Sequence, residues 1–346
     1  MMERLPTELM VEVIRHLDKS TIHSFTIVSS KYCEIAQPLL FRRVVIDAMA
    51  GERLFLFVKQ MEKSSKLASM IKILIIRTLF THKLHRDLFA VVSNLEELFL
   101  HFDVAKFLLP PHYFPKLRRL HFMASGPGFF NDVVANFIPC HRVLDDLKVT
   151  FVPESSISDI LTRCTPPLTE STSSGVDRLI TYHGPRGLLP LLTKNSRMKH
   201  LTSSQQLDEG TLRKLSSDAS GGLLSLIIDD PMDRFKSKTL PGPLLPSLFP
   251  TLRSIAWLSL DVQSTSVIDQ LPHLRRVWFT STHTWPKGVE AFISKIQELS
   301  DKKSRPLQAI RVYAPAQYPF SHTYFKASIN SPWVLRTALP VGPFVG

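Results

Sequence analysis

Residues 5–46 read LPTELMVEVIRHLDKSTIHSFTIVSSKYCEIAQPLLFRRVVI, and their apolar spacing predicts three short amphipathic helices. Pro6 suits the first turn of a helix, because the N–H that proline lacks has no partner there. The first helix is indicated by five apolar residues that recur at helical spacing: Leu9, Met10, Val13, Ile14 and Leu17.

Polar residues and prolines predict where the next two helices begin and end. Asp18 lies where the apolar pattern breaks, and its carboxylate can cap a second helix. Either Ser29 or Ser30 can cap a third helix, and Pro38 is predicted to end it, because proline interrupts a helix interior.

Three helices in about 40 residues cannot bury all of this apolar surface among themselves, since a module of that size has only a marginal core. Part of the surface is therefore expected to face either a partner protein or the domain that follows.

This stretch resembles an F-box. Tyr32 lies where that family usually has Trp, and Ser30 lies where Lys or Arg is usual. The run Pro-Leu-Leu-Phe-Arg at 38–42 is similar to the downstream extension of fungal members. A generic three-helix cap on a larger domain is the alternative interpretation. The residues that match the family pattern are Leu5, Pro6, Glu8, Leu9, Ile14, His16, Leu17, Asp18, Ile22, Val28 and Ser29.

The resemblance implies a partner. F-box proteins of this kind dock a Skp-family linker protein and through it join a cullin, in an SCF ubiquitin ligase. Glu8 would then be a rim charge, which affects encounter more than affinity. The linker-binding positions carried over by the resemblance are Leu5, Pro6, Glu8, Leu9, Ile14, Leu17, Val28 and Tyr32.

A second pattern, L-x-x-L-x-L with apolar substitutions, follows residue 46 and recurs at intervals of 22 to 33 residues. Most intervals lie in the range of leucine-rich repeats. The ten predicted strand segments are Met70/Ile73/Ile75, Leu95/Leu98/Leu100, Leu117/Leu120/Phe122, Leu144/Leu147/Val149, Val176/Leu179/Thr181, Met198/Leu201/Ser203, Leu223/Leu226/Ile228, Leu252/Ile255/Trp257, Leu274/Val277/Phe279 and Leu307/Ile310/Val312.

Helix-like segments separate these strands, so the chain predicts an α/β solenoid with a parallel concave sheet and helices on the convex side. The segment 287–299 is the clearest helix, because its apolar residues recur at helical spacing. The other predicted helices are 52–64, 85–93, 129–138, 155–163, 187–193 and 209–217.

The solenoid resembles an irregular leucine-rich-repeat domain, although the Asn or Cys that usually follows the L-x-L does not recur. The predicted domains are an F-box module at 1–46, the solenoid at 47–314, and a C-terminal cap and tail at 315–346. The polar, Ser/Thr-rich segment 164–175 is predicted to be a mobile loop.

Residues that flank the closing apolar pair of each repeat should point out of the sheet, because side chains alternate along a strand. Aromatic residues and Arg dominate binding hot spots, so these columns predict a target-binding concave face. Trp257, Phe122 and Phe279 occupy inward positions and are expected in the core. The predicted target-binding residues are Phe99, His101, Arg119, His121, Tyr182, His200, Arg276, Trp278, Arg311 and Tyr313.

The formal net charge is +12, which would suit an anionic partner such as nucleic acid. The basic residues are scattered singly and in pairs, however, and Arg118-Arg119 and Arg275-Arg276 are among the densest. We interpret this charge mainly as solvated surface, so nucleic acid is not the expected partner.

Signatures of other classes are missing from the sequence. Cys33, Cys140 and Cys164 are too few and too far apart for a disulfide framework, and each is expected to be a small buried hydrophobe. No signal-peptide layout or membrane-spanning run is present, so the expected location is the cytoplasm, the nucleus or both. No catalytic motif or zinc spacing occurs, so neither a metal nor a cofactor is expected.

The sequence therefore predicts a non-catalytic substrate receptor: a helical module that docks a Skp-family linker, and a repeat domain that holds an unidentified target protein. Two alternatives remain at this point. One is a repeat scaffold or regulator outside any ligase, and the other is a basic solenoid that binds nucleic acid.

Overall fold

The computed structural model describes residues 6–46, 51–77, 88–100, 113–124, 137–151, 178–192, 197–218, 222–228, 242–259, 262–280, 289–303, 306–313, 321–325 and 331–338. The chain forms two compact units, Met1–Val176 and Asp177–Gly346. The boundary between them lies inside the predicted solenoid and divides its strands into two sets. The predicted mobile loop 164–175 lies outside the described residues.

Three helices open the first unit: α1 (Thr7–Arg15), α2 (Lys19–Val28) and α3 (Ser30–Phe41). Their apolar faces meet in a small core formed by Ile14, Ile22 and Ala36. Hydrogen bonds from Ser20 and Thr21 to the Asp18 carboxylate lower its pKa and fix the start of α2, as the sequence predicts.

Proline does not end the third helix. Pro38 lies inside α3, which continues to Phe41, so this prediction is wrong. Proline removes only its own N–H from the helix ladder. Leu39 and Leu40, which follow it, pack against the three-helix core, and this packing keeps the last turn helical.

Replacing Ser29 with alanine is expected to destabilise the first unit by about 1 kcal/mol, because Ser29 rather than Ser30 caps α3. The Ser29 hydroxyl accepts a hydrogen bond from the Tyr32 N–H at 3.3 Å. The measurement is urea denaturation followed by far-UV circular dichroism. Ser30→Ala is the matched control and should leave the transition unchanged; an equal loss in both variants would contradict the cap.

The rest of the first unit is a parallel α/β arrangement. Strand β1 (Arg43–Ile46) leads into α4 (Gly51–Lys63) and α5 (Ser65–Met70). Neighbouring strands in this sheet pair in parallel, in sequence order. The four strands that follow are β2 (Ile73–Ile76), β3 (Glu97–Leu100), β4 (Arg119–Ala124) and β5 (Asp146–Phe151), with a 3-10 turn at Ile138–Cys140 before β5.

The second unit repeats this strand–helix alternation. Strands β6 to β11 pair in parallel, whereas β11–β12 and β12–β13 pair antiparallel within the predicted C-terminal cap. The strands are β6 (Thr181–Gly184), β7 (His200–Ser203), β8 (Ser225–Ile228), β9 (Ser254–Ser259), β10 (Arg276–Thr280), β11 (Ala309–Tyr313), β12 (Ser321–Phe325) and β13 (Val334–Ala338). The helices are α6 (Leu189–Leu192), α7 (Glu209–Asp218), α8 (Leu245–Leu248), α9 (Val262–Gln270) and α10 (Val289–Asp301), with 3-10 turns at Arg186–Leu188 and Gly242–Leu244.

The same pair of main-chain hydrogen bonds joins neighbouring parallel strands within each unit. The carbonyl just before a strand accepts hydrogen bonds from two consecutive N–H groups of the next repeat. The Arg253 carbonyl, for example, accepts from Arg275 at 2.7 Å and from Arg276 at 3.0 Å. We call the residues directly before a strand the boundary row. The carbonyls that accept both bonds are those of Arg42, Lys72, Glu96 and Arg118 in the first unit, and of Ile180, Lys199, Leu224, Arg253 and Arg275 in the second. Asp145 and Gln308 occupy the same position and contribute as donors.

All ten predicted strand segments form strands, but two have a register that differs from the prediction, by one residue in β2 and by three residues in β6. Leu74 pairs with Leu98, so the inward residues of β2 are Leu74 and Ile76. Tyr182 pairs with Leu201, so the inward residues of β6 are Tyr182 and Gly184. In β2 every residue is apolar and in β6 none is aliphatic, so neither sequence shows the alternation that fixes a register.

A bulge in β9 changes a third expectation. The pairing of β9 with β10 shifts between Val277 and Phe279, which brings Leu258 level with Phe279. Leu258 is fully buried at this inward position, where the repeat pattern had predicted Trp257. The side chain of Trp257 lies outside the described residues. Phe122 and Phe279 lie in the core, as predicted.

Candidate binding surfaces

The three N-terminal helices leave apolar side chains in contact with solvent. On α1, Leu9 is 54% exposed and Val13 is 42% exposed. Positions i and i+4 lie on one face of a helix, so these two residues form an apolar stripe beside the buried Met10 and Ile14. At the end of α2, Ile27 is 73% exposed and Val28 is 70% exposed. These exposed apolar groups make α1 and the end of α2 a candidate interaction surface.

The predicted linker-binding residues divide into three sets. Leu5 lies outside the described residues. Pro6, Glu8, Leu9 and Val28 are exposed and available to a partner. Three others do not lie on the exposed surface, because they build the module's own core: Ile14, Leu17 and Tyr32.

Tyr32 illustrates how a linker-binding position carried over by the resemblance can lie in the core of the module. Its ring is 9% exposed and packs edge-on against Phe25, with 5.7 Å between the ring centroids. The carried-over pattern also omitted Val13 and Ile27. Val13 could have been found from its i+4 spacing to Leu9, whereas only the packing of α2 shows that Ile27 is exposed.

The outward face of the first unit carries charges that neutralise one another. In the boundary row, Lys72 pairs with Glu96 at 2.5 Å and Arg118 pairs with Asp145 at 2.6 Å. One residue further along, Arg119 pairs with Glu97 at 3.1 Å. Side chains of opposite charge on adjacent strands therefore pair with one another on this face.

Three of the predicted target-binding residues of the first unit, Phe99, Arg119 and His121, lie on this face. Phe99 and His121 are half-buried and contact each other edge-on, with 5.9 Å between ring centroids. Arg119 is exposed and paired with Glu97. Burial raises the pKa of the neighbouring Asp146 carboxyl. His101 lies outside the described residues.

The second unit carries a groove of about 800 Å³ on its outward face. His200 and Arg276 line it and are exposed, as predicted. Partial burial, helped by the Lys199 charge, lowers the pKa of His200, which favours the neutral ring. Trp278 lines the groove too but is only 6% exposed, and the Arg311 guanidinium lies 5.0 Å from its ring centroid.

Tyr182 is not part of this surface, so the outward position predicted for it is wrong. The slipped register of β6 turns its side chain inward, where it is fully buried. Its hydroxyl donates a hydrogen bond to the Pro185 carbonyl at 2.8 Å, and burial raises its pKa. The side chain of Tyr313 lies outside the described residues.

Two residues of the boundary row line the groove although they were not among the predicted target-binding residues. Arg253 and Arg275 line the groove beside Arg276. Neither Arg253 nor Arg275 forms an ion pair with a residue in the described part of the chain. Among the described residues that line the groove none carries a carboxylate, whereas four carry hydroxyl groups: Thr181, Thr202, Ser225 and Ser254.

Other kinds of site find no support among the described residues. No group of three or more His, Cys, Asp or Glu side chains that could hold a metal ion occurs there.

Cys140 is exposed and Cys33 is half-buried, so the expectation of buried cysteines is wrong for Cys140, while Cys164 lies outside the described residues. In the same part of the chain, every helix is too short or too polar to cross a membrane.

Comparison with known proteins gives no assignment: no protein-family model matches the sequence, and no curated protein matches it.

Proposed function

We propose that this chain is a non-catalytic substrate-receptor subunit of a cullin-based ubiquitin ligase. Helices α1 to α3 form an F-box that docks a Skp-family linker, and the α/β repeats form a leucine-rich-repeat solenoid that holds a target protein. The observation that carries the proposal is the apolar surface of α1 and α2, where Leu9, Ile27 and Val28 stay more than half exposed. A linker protein that buries these side chains would gain roughly 1.5–3 kcal/mol for each one fully covered.

The function follows from proximity. A receptor of this kind forms no covalent bond itself. It raises the effective concentration of a bound target beside a ubiquitin-charged enzyme held elsewhere in the ligase. The helices and the repeats therefore have separate tasks, one for assembly and one for recognition.

The double substitution Leu9→Asp with Val28→Asp is expected to abolish co-purification of a Skp-family linker, since each carboxylate would be buried unpaired in the interface. The substitutions lie at exposed positions, so far-UV circular dichroism of the chain should not change. The measurement is the amount of linker recovered with the tagged full-length chain after co-expression.

Val334→Asp is the matched control, because Val334 is 51% exposed and lies in the second unit. It should leave linker recovery unchanged. Full recovery with the double variant, or equal loss with the control, would count against the proposed docking surface.

A further inference from the structure

We propose that Lys19, Arg42 and Arg43 form a contact region for an acidic surface of the partner that docks on α1 and α2. We call these three residues the junction patch, because they lie where the helical module meets the first strand of the repeats. This inference rests on the proposed function, since it concerns the same docking event. It adds an electrostatic contact outside the apolar surface and states the charge of the partner.

Chain connectivity and one hydrogen bond bring the three residues of the junction patch together. Arg42 lies between the end of α3 and the start of β1, and Arg43 is the first residue of β1. Lys19, the first residue of α2, donates a hydrogen bond from its Nζ to the Arg43 carbonyl oxygen at 3.4 Å. All three residues are exposed. The junction therefore presents three positive charges to solvent.

The charge pairing of the outward face stops before it reaches these residues. In the boundary row, the neighbour of Arg42 is Lys72, a second cation, whose ammonium group already pairs with Glu96 at 2.5 Å. In the strand pairing, Arg43 lies opposite Ile73, which is uncharged. Within the described part of this face, the ion pairs therefore begin beside β2, and the two arginines beside β1 take no part in them.

The helical module does not supply the missing counter-charge either. Asp18 directly precedes Lys19, but both oxygens of its carboxylate accept hydrogen bonds from Thr21, from the N–H at 3.0 Å and from the hydroxyl at 2.7 Å. Among the residues that the structure describes, no ion pair includes Lys19, Arg42 or Arg43. A carboxylate that pairs with the junction patch would thus come from another molecule.

The size of a stable interface makes the docked partner the source of that charge. Such an interface involves about 20–30 residues of each partner and buries about 800 Å² on each side. The three helices contain 9, 10 and 12 residues, so a partner that covers Leu9 and Val28 would extend over much of the module and reach its rim. Charged groups at a rim mainly accelerate the encounter and select a partner of opposite charge.

The test measures association and dissociation rates between the full-length chain and a purified Skp-family linker by biolayer interferometry. Arg42→Gln with Arg43→Gln removes two positive charges and keeps the main-chain bonds of both residues. At low salt it should slow association about three- to ten-fold, because complementary charges steer the encounter, and change the dissociation rate less than about two-fold. Arg42→Glu with Arg43→Glu should slow association further, because it reverses both charges.

Salt and a matched control separate this effect from others. At about 1 M salt the Debye length is about 3 Å, so the association rate of the glutamine variant should come within about two-fold of the parent rate. The control is Arg118→Gln with Arg119→Gln, which removes the same charge from side chains that already pair with Asp145 and Glu97. It should change the association rate less than about two-fold. Far-UV circular dichroism checks that every variant is folded.

Three results would overturn the inference: an unchanged association rate in the glutamine variant at low salt, equal slowing in that variant and the control, or slowing that high salt does not relieve. Failure of the proposed function gives a different result, because the parent chain itself would then not associate with the linker. Association that is lost in Leu9→Asp with Val28→Asp but unchanged in both arginine variants would reject only the junction patch.

Discussion

Replacing His141 with alanine is expected to lower the free energy of unfolding of the first unit by roughly 3 kcal/mol. The imidazole is 1% exposed and makes two main-chain hydrogen bonds. Its Nε2 accepts from the Phe114 N–H at 3.1 Å, and its Nδ1 lies 2.7 Å from the Phe137 carbonyl, so the neutral ring with Nδ1 protonated satisfies both groups. Alanine would leave both groups buried without these partners and would open a cavity beside the Phe137 ring, which stacks on the imidazole at 4.0 Å.

The same histidine makes stability depend on pH. Burial lowers the pKa of His141 below its ordinary value of 6.5. The unfolded chain therefore binds a proton that the folded chain resists, so stability is fully present above about pH 6.5 and is lost as the pH falls toward the folded pKa. Urea denaturation at pH 7.5 and 5.5, followed by far-UV circular dichroism, should show a smaller pH dependence in His141→Ala than in the parent chain.

His16→Ala is the control for this prediction, because the His16 side chain is 78% exposed. It should lower the free energy of unfolding far less than His141→Ala does. Tryptophan fluorescence provides an internal reference, since it follows only the second unit. A shift confined to the fluorescence transition would contradict the role assigned to His141.

Gly184→Val is expected to destabilise the second unit by roughly 2–4 kcal/mol, because overpacking would add to a disturbed buried hydrogen bond. A Cβ at Gly184 would lie 2.5 Å from the Tyr182 hydroxyl oxygen. That hydroxyl is fixed by its hydrogen bond to Pro185, so the ring cannot simply move away. The glycine thus provides the space that the tyrosine ring occupies.

A second substitution tests this explanation. Strand β8 holds Leu226 and Ile228 at the positions that Tyr182 and Gly184 occupy in β6. Tyr182→Leu combined with Gly184→Val should therefore recover much of the loss and show strong coupling in a double-mutant cycle. Gly210→Val is the control, since a Cβ there meets only Asp208 at 3.5 Å. Additive effects in the cycle, measured by urea denaturation and tryptophan fluorescence, would contradict the steric argument.

The sequence predicted the positions of the strands well, because leucine-like spacing fixes where an inward residue must lie. It predicted the wrong inward residues in strands where apolar and polar residues do not alternate. Strand β2 is apolar at every residue, and β6 combines a tyrosine with a glycine, which no apolar pattern can anticipate. It also missed β1, although Val44 and Ile46 pair with Leu74 and Ile76 in the register that the later repeats follow.

The candidate sites were predicted in part. Leu9 and Val28 could be identified from the family pattern, but that pattern could not separate docking residues from core residues such as Ile14 and Tyr32. Arg253 and Arg275 were missed because the first outward position that we predicted in each repeat is the next residue, Ser254 or Arg276. The signal was present in the sequence as Glu-Glu, Arg-Arg and Asp-Asp pairs in successive repeats. It becomes informative only when the strand pairing shows which pairs are neighbours.

The shared carbonyls of the boundary row have a consequence for how such a chain can evolve. The hydrogen bonds made by these carbonyls use main-chain groups alone, so proline is the residue that the donor positions exclude. Pro272 and Pro306 lie only a few residues upstream of two of the donor pairs. The side chains found at these donor positions include acidic, basic, polar and aliphatic ones. Mutations in this row can therefore replace a carboxylate with a guanidinium, and so change binding specificity, without altering the main-chain bonds that join the repeats.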